Sequence, residues 1–245
     1  MECLYIENLD SSAEKIIIAG DEFSHLKALH VREGEQILAS NGQGLLATLV
    51  VEVLDKRKAS AVVLNFYEVP YPSERLGLAL GILDNRERFE FALEKAVELG
   101  ATDFYPVSGD FSQKHTVKIE RLEMKAIAAM KQSKQAWKIN IHTPVTVDEL
   151  FNIITRKHTC LPKTCDNHLT TIYYADMNST NKLQANNGNA ILLIGAEGGF
   201  SDREEAIIAK SEHVSFSLGN NRLRAETASL AGLSIIKYIK SGFGI

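Results

Sequence analysis

Two short stretches of the chain bring glycines, carboxylates and guanidinium groups close together: IGAEGGFSDRE at residues 194–204 and LGNNRLRAETA at residues 218–228. In the first, Gly195, Gly198 and Gly199 carry no side chains, so backbone amides and carbonyls there can approach a ligand closely. Glu197 sits inside that loop, either as a proton acceptor or as a loop carboxylate capping the helix that follows. In the second, Gly219 opens a turn, and Arg222, Leu223, Arg224, Ala225, Glu226 and Thr227 follow. A guanidinium donates two parallel hydrogen bonds to a planar group on which negative charge develops, and a nearby carboxylate can orient it or take a proton. Thr227 reads as a capping or packing residue. The spacing by itself indicates only a small-molecule site, because neither G-x-G-x-x-G nor a Gly-Lys-Ser/Thr phosphate loop is present.

Both stretches need strands to position them. Ile191 to Ile194 is a short apolar run of the kind that forms a buried strand, and Val214 to Leu218 reads as another. Ser201 with Glu204 three residues later forms a capping box, which starts a helix just after the first loop. The second stretch opens a final helix, Ala225 to Lys240, apolar around most of its surface, as at a dimer interface. Glycine turns at the carboxyl ends of two strands define a crevice, the usual ligand position in an α/β sheet.

Upstream, Leu76 to Leu83, a helix from Arg86 to Leu99 and Thr102 to Val107 make a β-α-β unit and so imply a parallel sheet. Arg86, Arg88, Glu94, Lys95 and Glu98 are its polar candidates. Glu94 and Glu98 read as a solvated face, with Glu94 and Lys95 too close in sequence to pair. A basic helix follows, from about Val117 to Lys134, with Ile119, Leu122, Ala126, Ala129 and Met130 inward and Lys118, Arg121 and Lys125 outward. The chain carries −4 overall, yet residues 113–143 hold seven basic residues, Lys114 among them, against Glu120 and Glu123. That local balance of +5 leaves −9 elsewhere and marks a candidate phosphate-facing surface.

Residues 1–70 alternate strands and turns: Ile16 to Ala19, Gln36 to Ala39, Leu45 to Leu54 and Ala59 to Val69, with one short helix over residues 21–30. That pattern suggests a small β-barrel. Its six basic and eleven acidic residues make an unpromising RNA surface, and His25 and His30 read as helix or surface histidines. Val69 to Glu74, with two prolines, marks the boundary between residues 1–70 and a second domain, 75–245. Three cysteines fit a reducing compartment, and neither a signal peptide nor a membrane-length apolar run is present, which implies the cytoplasm. His158, Cys160, Cys165 and His168 have possible zinc-ligand types, but in a polar connection at this spacing they are read as no metal site.

The two glycine stretches resemble the "IGPEGGFS-x-x-E" and "LG-x-x-LR-T-E-T-A" segments of the RsmE-type 16S rRNA uridine-N3 methyltransferases, of the SPOUT class. RFEFALEKAVELGATDFYPV is similar to that family's "R-x-E-x-x-x-x-K-A-x-E-L-G-x-x-x-I-x-P", which raises Lys95 and Glu98 as active-site support. AAMKQSKQAW is similar to its "E-A-x-E-Q-S-x-R", with Gln135 in place of the arginine. Ala196 replaces the usual proline of the first loop, and Ala225 a common threonine of the second. The resemblance implies an α/β fold with a mostly parallel sheet and a deep trefoil knot in the carboxyl-terminal domain, preceded by a PUA-like barrel. It implies S-adenosylmethionine as cofactor, held by Ile194, Gly195, Glu197, Gly198, Gly199, Leu218, Gly219, Leu223, Arg224 and Ala225. Arg224, Glu226 and Glu197 become the catalytic candidates, and Lys114, Lys118, Arg121, Lys125 and Arg222 the RNA-binding ones. The implied partners are 16S rRNA or the small ribosomal subunit and a second copy of the chain, with no membrane and no metal. Two other readings stand beside it: an assembly factor with a vestigial cofactor pocket, and an unrelated nucleotide-binding enzyme holding phosphate at the Ser201 helix.

Overall fold

The computed structural model describes residues 2–157, 170–181, 183–184 and 187–241. The chain divides into two compact units, Met1–Tyr71 with Ile127–Lys138, and Pro72–Ala126 with Ile139–Ile245.

The first unit contains β1 (Cys3–Tyr5), β2 (Lys15–Ala19), α1 (Gly20–Ala28), β3 (Gln36–Ser40), β4 (Leu45–Leu54) and β5 (Lys58–Glu68). The strands order as β1-β3-β4-β5-β2, antiparallel except for the parallel β1–β3 pair. β1 and β2 are therefore edges, and the unit is a half-barrel, not a ring closed by hydrogen bonds. Register shifts in the long β4–β5 hairpin, at Thr48/Leu49 and Val51/Val53, mark bulges that bend and twist it. In β2 the alternation is strict, with Ile16 and Ile18 buried and Lys15, Ile17 and Ala19 outside. Those two isoleucines join Leu4, Leu26, Ile37 and Leu49 in the core.

The second unit contains β6 (Leu76–Gly81), α2 (Arg86–Glu98), β7 (Asp103–Val107), the start of α3 (Ile119–Ser133), β8 (Asn140–Ile141), α4 (Val147–Lys157), β9 (Thr170–Ala175), β10 (Asn189–Ile194), α5 (Asp202–Lys210), β11 (His213–Phe216) and α6 (Ala225–Lys240). Its six strands are all parallel, in the order β11-β9-β10-β6-β7-β8. Every residue of β6, β7 and β10 is buried, which explains their near-continuous apolar runs. Side chains alternate across β10: Ile191 and Leu193 join a core with Val147, Leu150 and Ile208 of α4 and α5. Leu192 points the other way, against Gly232 of α6, where an added Cβ would lie 2.7 Å from the leucine. Helices thus cover both faces. At the sheet edge, burial works to raise the Asp103 carboxyl. Hydrogen bonds with His142 (3.0 Å) and Thr102 (2.8 Å) outweigh it and hold the group below the ordinary aspartate range.

The polar face of α2 is not the solvated one expected. Glu90 is 3% exposed and accepts from Arg121 of α3, with Nη2 at 2.9 Å, while Arg86 Nε stands 3.4 Å away. Lys125 binds Glu94 at 2.9 Å and Lys95 binds Glu98 at 2.7 Å. Hydrogen bonding by Arg121 holds the Glu90 carboxyl below the ordinary glutamate range. Because folding lowers its pKa, Glu90 stabilises fully above the usual glutamate range, and that contribution is lost as pH falls through the lowered value. Glu90→Gln should cost about 2 kcal/mol at neutral pH and less in acid, a modest figure because the Arg121 and Lys125 side chains remain 38% and 39% exposed. Chemical denaturation at the two pH values measures this, and an equal loss at both would refute it.

α3 belongs to both units, since residues up to Ala126 go with the second and Ile127–Lys138 with the first. There Lys131 pairs with Glu22 (2.7 Å), Gly44 N–H donates to Ala136 O (2.9 Å) and Trp137 Nε1 donates to Val69 O (2.8 Å).

Candidate active site

Because the strands of the second unit are parallel, the carboxyl ends of β9, β10 and β11 open on one edge. They enclose a crevice of about 380 Å³. That falls in the range of roughly 300–1,000 Å³ typical of small-molecule sites. Three loops and two helices, α2 and α6, build it.

The first loop leaves β10 at Ile194. Gly199 N–H donates to Ala196 O at 2.9 Å, closing a tight turn, and Gly199 reaches the left-handed region at φ +74°. Ser201 then caps α5: its Oγ accepts from Glu204 N–H, and the Glu204 carboxylate accepts from Ser201 N–H at 2.9 Å. The other Glu204 oxygen accepts from Asp110 N–H at 3.0 Å, so this fully buried carboxylate ties the segment after β7 to the loop. The end of β6 supports the loop from below. A Cβ on Gly81 would stand 2.3 Å from Ala196 N, so only glycine permits this backbone-to-backbone approach.

The second loop runs from Leu218 to Glu226. Arg222 Nη2 donates to Glu197 O at 3.1 Å, which joins the two loops. Arg224 is the N-cap residue of α6, with extended backbone and no side-chain cap. Among the described residues its guanidinium has no hydrogen-bond or ion-pair partner. Tyr174, Ala175, Asp176 and Met177 form the third wall, after β9, and Arg88 of α2 the fourth. Burial raises the pKa of the Tyr174 hydroxyl above the ordinary tyrosine range, and the nearby Glu205 carboxylate, which accepts its hydrogen bond at 3.0 Å, raises it further.

Of the residues expected to hold a cofactor, Ile194, Gly195, Glu197, Gly199, Leu218, Gly219, Leu223, Arg224 and Ala225 all line the crevice. Gly198 does not. It lies outside, where an added Cβ would meet Phe111 Cβ at 2.9 Å. Glu226 is in the crevice, but its carboxylate lies 3.7 Å from Arg88 Nε and does not pair with Arg224. The Glu197 carboxylate accepts from Asp84 N–H at 3.4 Å and caps no helix, since Ser201 and Glu204 serve that end.

The RNA-binding candidates separate. Arg222 is in the crevice. Lys114, which donates to Asp84 O at 2.6 Å, lines a second cleft of about 580 Å³ with Lys118, Arg121 and Arg86, over a floor that includes Leu83 and Phe89. Lys125 is outside that cleft, and both it and Arg121 are engaged by α2 carboxylates while their side chains remain more than a third exposed. Lys95 and Glu98 pair with each other outside the crevice. The His158, Cys160, Cys165 and His168 cluster lies outside the described residues. Sequence reasoning missed the wall at Tyr174–Met177 and did not assign Arg88 to it. That wall follows β9, whose position beside β10 depends on pairing between residues about twenty apart in the chain.

A parallel sheet with a glycine-lined crevice at its strand ends, attached to a β-rich unit, defines a class. A family model described as an RNA methyltransferase domain matches residues 70–237, and one described as an RNA methyltransferase PUA domain matches residues 18–64. The chain belongs to the RNA methyltransferase family. It is similar to proteins named ribosomal RNA small subunit methyltransferase E. That of Rickettsia conorii is 26% identical over 245 residues, covering 97% of this chain and 96% of the relative. That of Mesomycoplasma hyopneumoniae is 27% identical over 228 residues, covering 87% and 90%. Among solved structures, a probable rRNA-methyltransferase from Porphyromonas gingivalis is 27% identical with a TM-score of 0.75 over 100% of both chains. The ribosomal RNA small subunit methyltransferase E of Neisseria gonorrhoeae, solved bound to S-adenosyl methionine, shares the fold with a TM-score of 0.81 at 24% identity over 98% of both chains.

Proposed function

We propose that this RNA methyltransferase transfers a methyl group from S-adenosylmethionine to N3 of a uridine in 16S rRNA of the small ribosomal subunit. The observation that carries the reading is the glycine-lined crevice with Arg224, unpaired among the described residues, at the start of α6.

The crevice fits the cofactor. Its size suits an adenosine with an amino-acid tail, and backbone groups at Gly195, Leu218 and Gly219 can meet the adenine and ribose edges, with Ile194 and Leu223 as apolar walls. Gly81 and Gly199 hold open a cradle that a side chain would distort. When bound, S-adenosylmethionine supplies a methyl group activated on a sulfonium. The rest falls to the chain. Uracil N3 carries a proton at neutral pH, so its ring oxygens must be stabilised as charge develops and the proton must be accepted. Arg224 faces the ring oxygens, a guanidinium matching a planar anion edge. Glu226 or Glu197 takes the proton, with Arg88 holding Glu226 in place. Three loops exclude water and align acceptor and donor.

Lys114, Lys118, Arg121, Lys125 and Arg222 receive RNA phosphates in this reading, with base selection resting on an unpaired or flipped uridine. The homodimer uses the α2–α6 side, supported by exposed Phe91, Ile235 and Tyr238. The trefoil knot implied by the sequence resemblance is part of the same proposal, supported by β10 lying between β9 and β6. Among the described residues no helix is long and apolar enough to cross a membrane. A cytoplasmic place follows from the rRNA substrate.

The test is transfer of labelled methyl from S-adenosylmethionine to unmodified small subunits and to free 16S rRNA, with the product nucleoside identified. Labelled N3-methyluridine is expected. Label in another nucleoside would overturn the acceptor, and no cofactor binding would overturn the whole reading.

A further inference from the structure

Phe111 is 56% exposed although both of its neighbours are firmly held. Asp110 accepts from Arg203 at 2.9 and 3.1 Å and from Ser201 Oγ, and its N–H is bound by buried Glu204. Ser112, 7% exposed, exchanges hydrogen bonds with Gly109 at 3.0 and 3.1 Å. Burying a phenylalanine side chain is favourable relative to leaving it in water. This segment instead fixes the backbone on either side and leaves the ring outside. Isolated exposed apolar side chains are common and need no explanation by themselves. The location of this one does. Phe111 Cβ packs so tightly on the glycine loop that position 198 has no room for a side chain, and it adjoins the crevice without lining it.

We propose that Phe111 is a stacking platform for an unpaired base of the RNA substrate, the one next to the base that enters the crevice. The proposal rests on the RNA-methylation reading and adds to it where the flanking nucleotide lies. Single-stranded RNA bases stack on exposed aromatic rings, and a ring fixed in advance loses little freedom on binding. Because Phe111 lies outside the crevice wall, the stacked base is a neighbour of the acceptor and not the acceptor itself.

The experiment compares wild type, Phe111→Ala and Phe111→Trp for binding of unmodified 16S rRNA, methyl transfer and S-adenosylmethionine affinity. Loss of one stacked base should weaken RNA binding and kcat/KM in Phe111→Ala by about 10- to 100-fold. Cofactor affinity should stay unchanged. Phe111→Trp should retain activity, and its added fluorescence over wild type should be quenched as RNA saturates. Wild-type RNA affinity in Phe111→Ala, or an unquenched tryptophan at saturation, overturns the stacking proposal while leaving the methyltransferase reading standing. Failure of the wild type to methylate the RNA overturns both.

Discussion

Replacing Arg224 with alanine should lower kcat for methyl transfer by about a thousandfold, the loss typical of removing a preorganised donor to a developing anion. The argument rests on what surrounds this guanidinium. Arg222 is occupied with Glu197 O, and Arg88 faces Glu226, which leaves Arg224 as the crevice arginine with no partner among the described residues. Its backbone is fixed as the N-cap of α6, where Ala228 N–H donates to Arg224 O at 2.8 Å. The side chain can therefore reach a substrate without first breaking a bond to the protein. Arg224→Lys should recover only part of the activity, because a point charge cannot make two parallel hydrogen bonds. Single-turnover kinetics with small subunits would separate this from an effect on RNA binding. A variant that keeps wild-type kcat would remove Arg224 from the chemistry.

Gly81→Ala should weaken S-adenosylmethionine binding about a hundredfold although residue 81 does not line the crevice. The added Cβ would lie 2.3 Å from Ala196 N and 2.9 Å from its Cα, both backbone atoms. No rotamer can relieve such a clash, so the glycine loop itself must move by about 1 Å, a displacement that in a preorganised site is worth about two orders of magnitude. Gly199 and Gly219 differ: nothing lies within 4 Å of a Cβ at either, and their φ values of +74° and +119° are what require glycine. Calorimetric titration with the cofactor, beside a denaturation curve to show that the sheet is intact, tests the point. Native affinity in Gly81→Ala would mean that the loop yields without cost.

The parts of the site that could be read from the sequence are those built from consecutive residues. Ser201 and Glu204 satisfy each other within one helical turn, and the buried run ending at Ile194 places the loop after a strand, so IGAEGGFSDRE describes its own structure. Leu45–Leu54 and Ala225–Lys240 match their expected limits for the same reason. β1 and β8 escaped because strands of three and two residues have no usable period, and partners far along the chain define them. α4 was legible in principle: Val147, Leu150, Phe151 and Ile154 have helical spacing, and Thr146 with Glu149 makes a reciprocal cap. The roles of Glu90, Arg88 and Phe111 were not, since each depends on a partner more than twenty residues away.

The assignment of α3 to two units sets the order in which the protein can be made. The half-barrel has its last strand by Glu68 but lacks Ile127–Lys138, which supply the partners of Glu22, Gly44 and Val69, until about seventy further residues have been added. At about 5–20 residues per second, the unfinished half-barrel waits roughly 4–14 s, while β6, α2 and β7 emerge before its closing piece. Residues 1–71 produced alone should therefore remain protease-sensitive, and addition of a peptide spanning 119–138 should protect them. The half-barrel comes first along the sequence, yet it can be completed only after about a third of the other unit has been made.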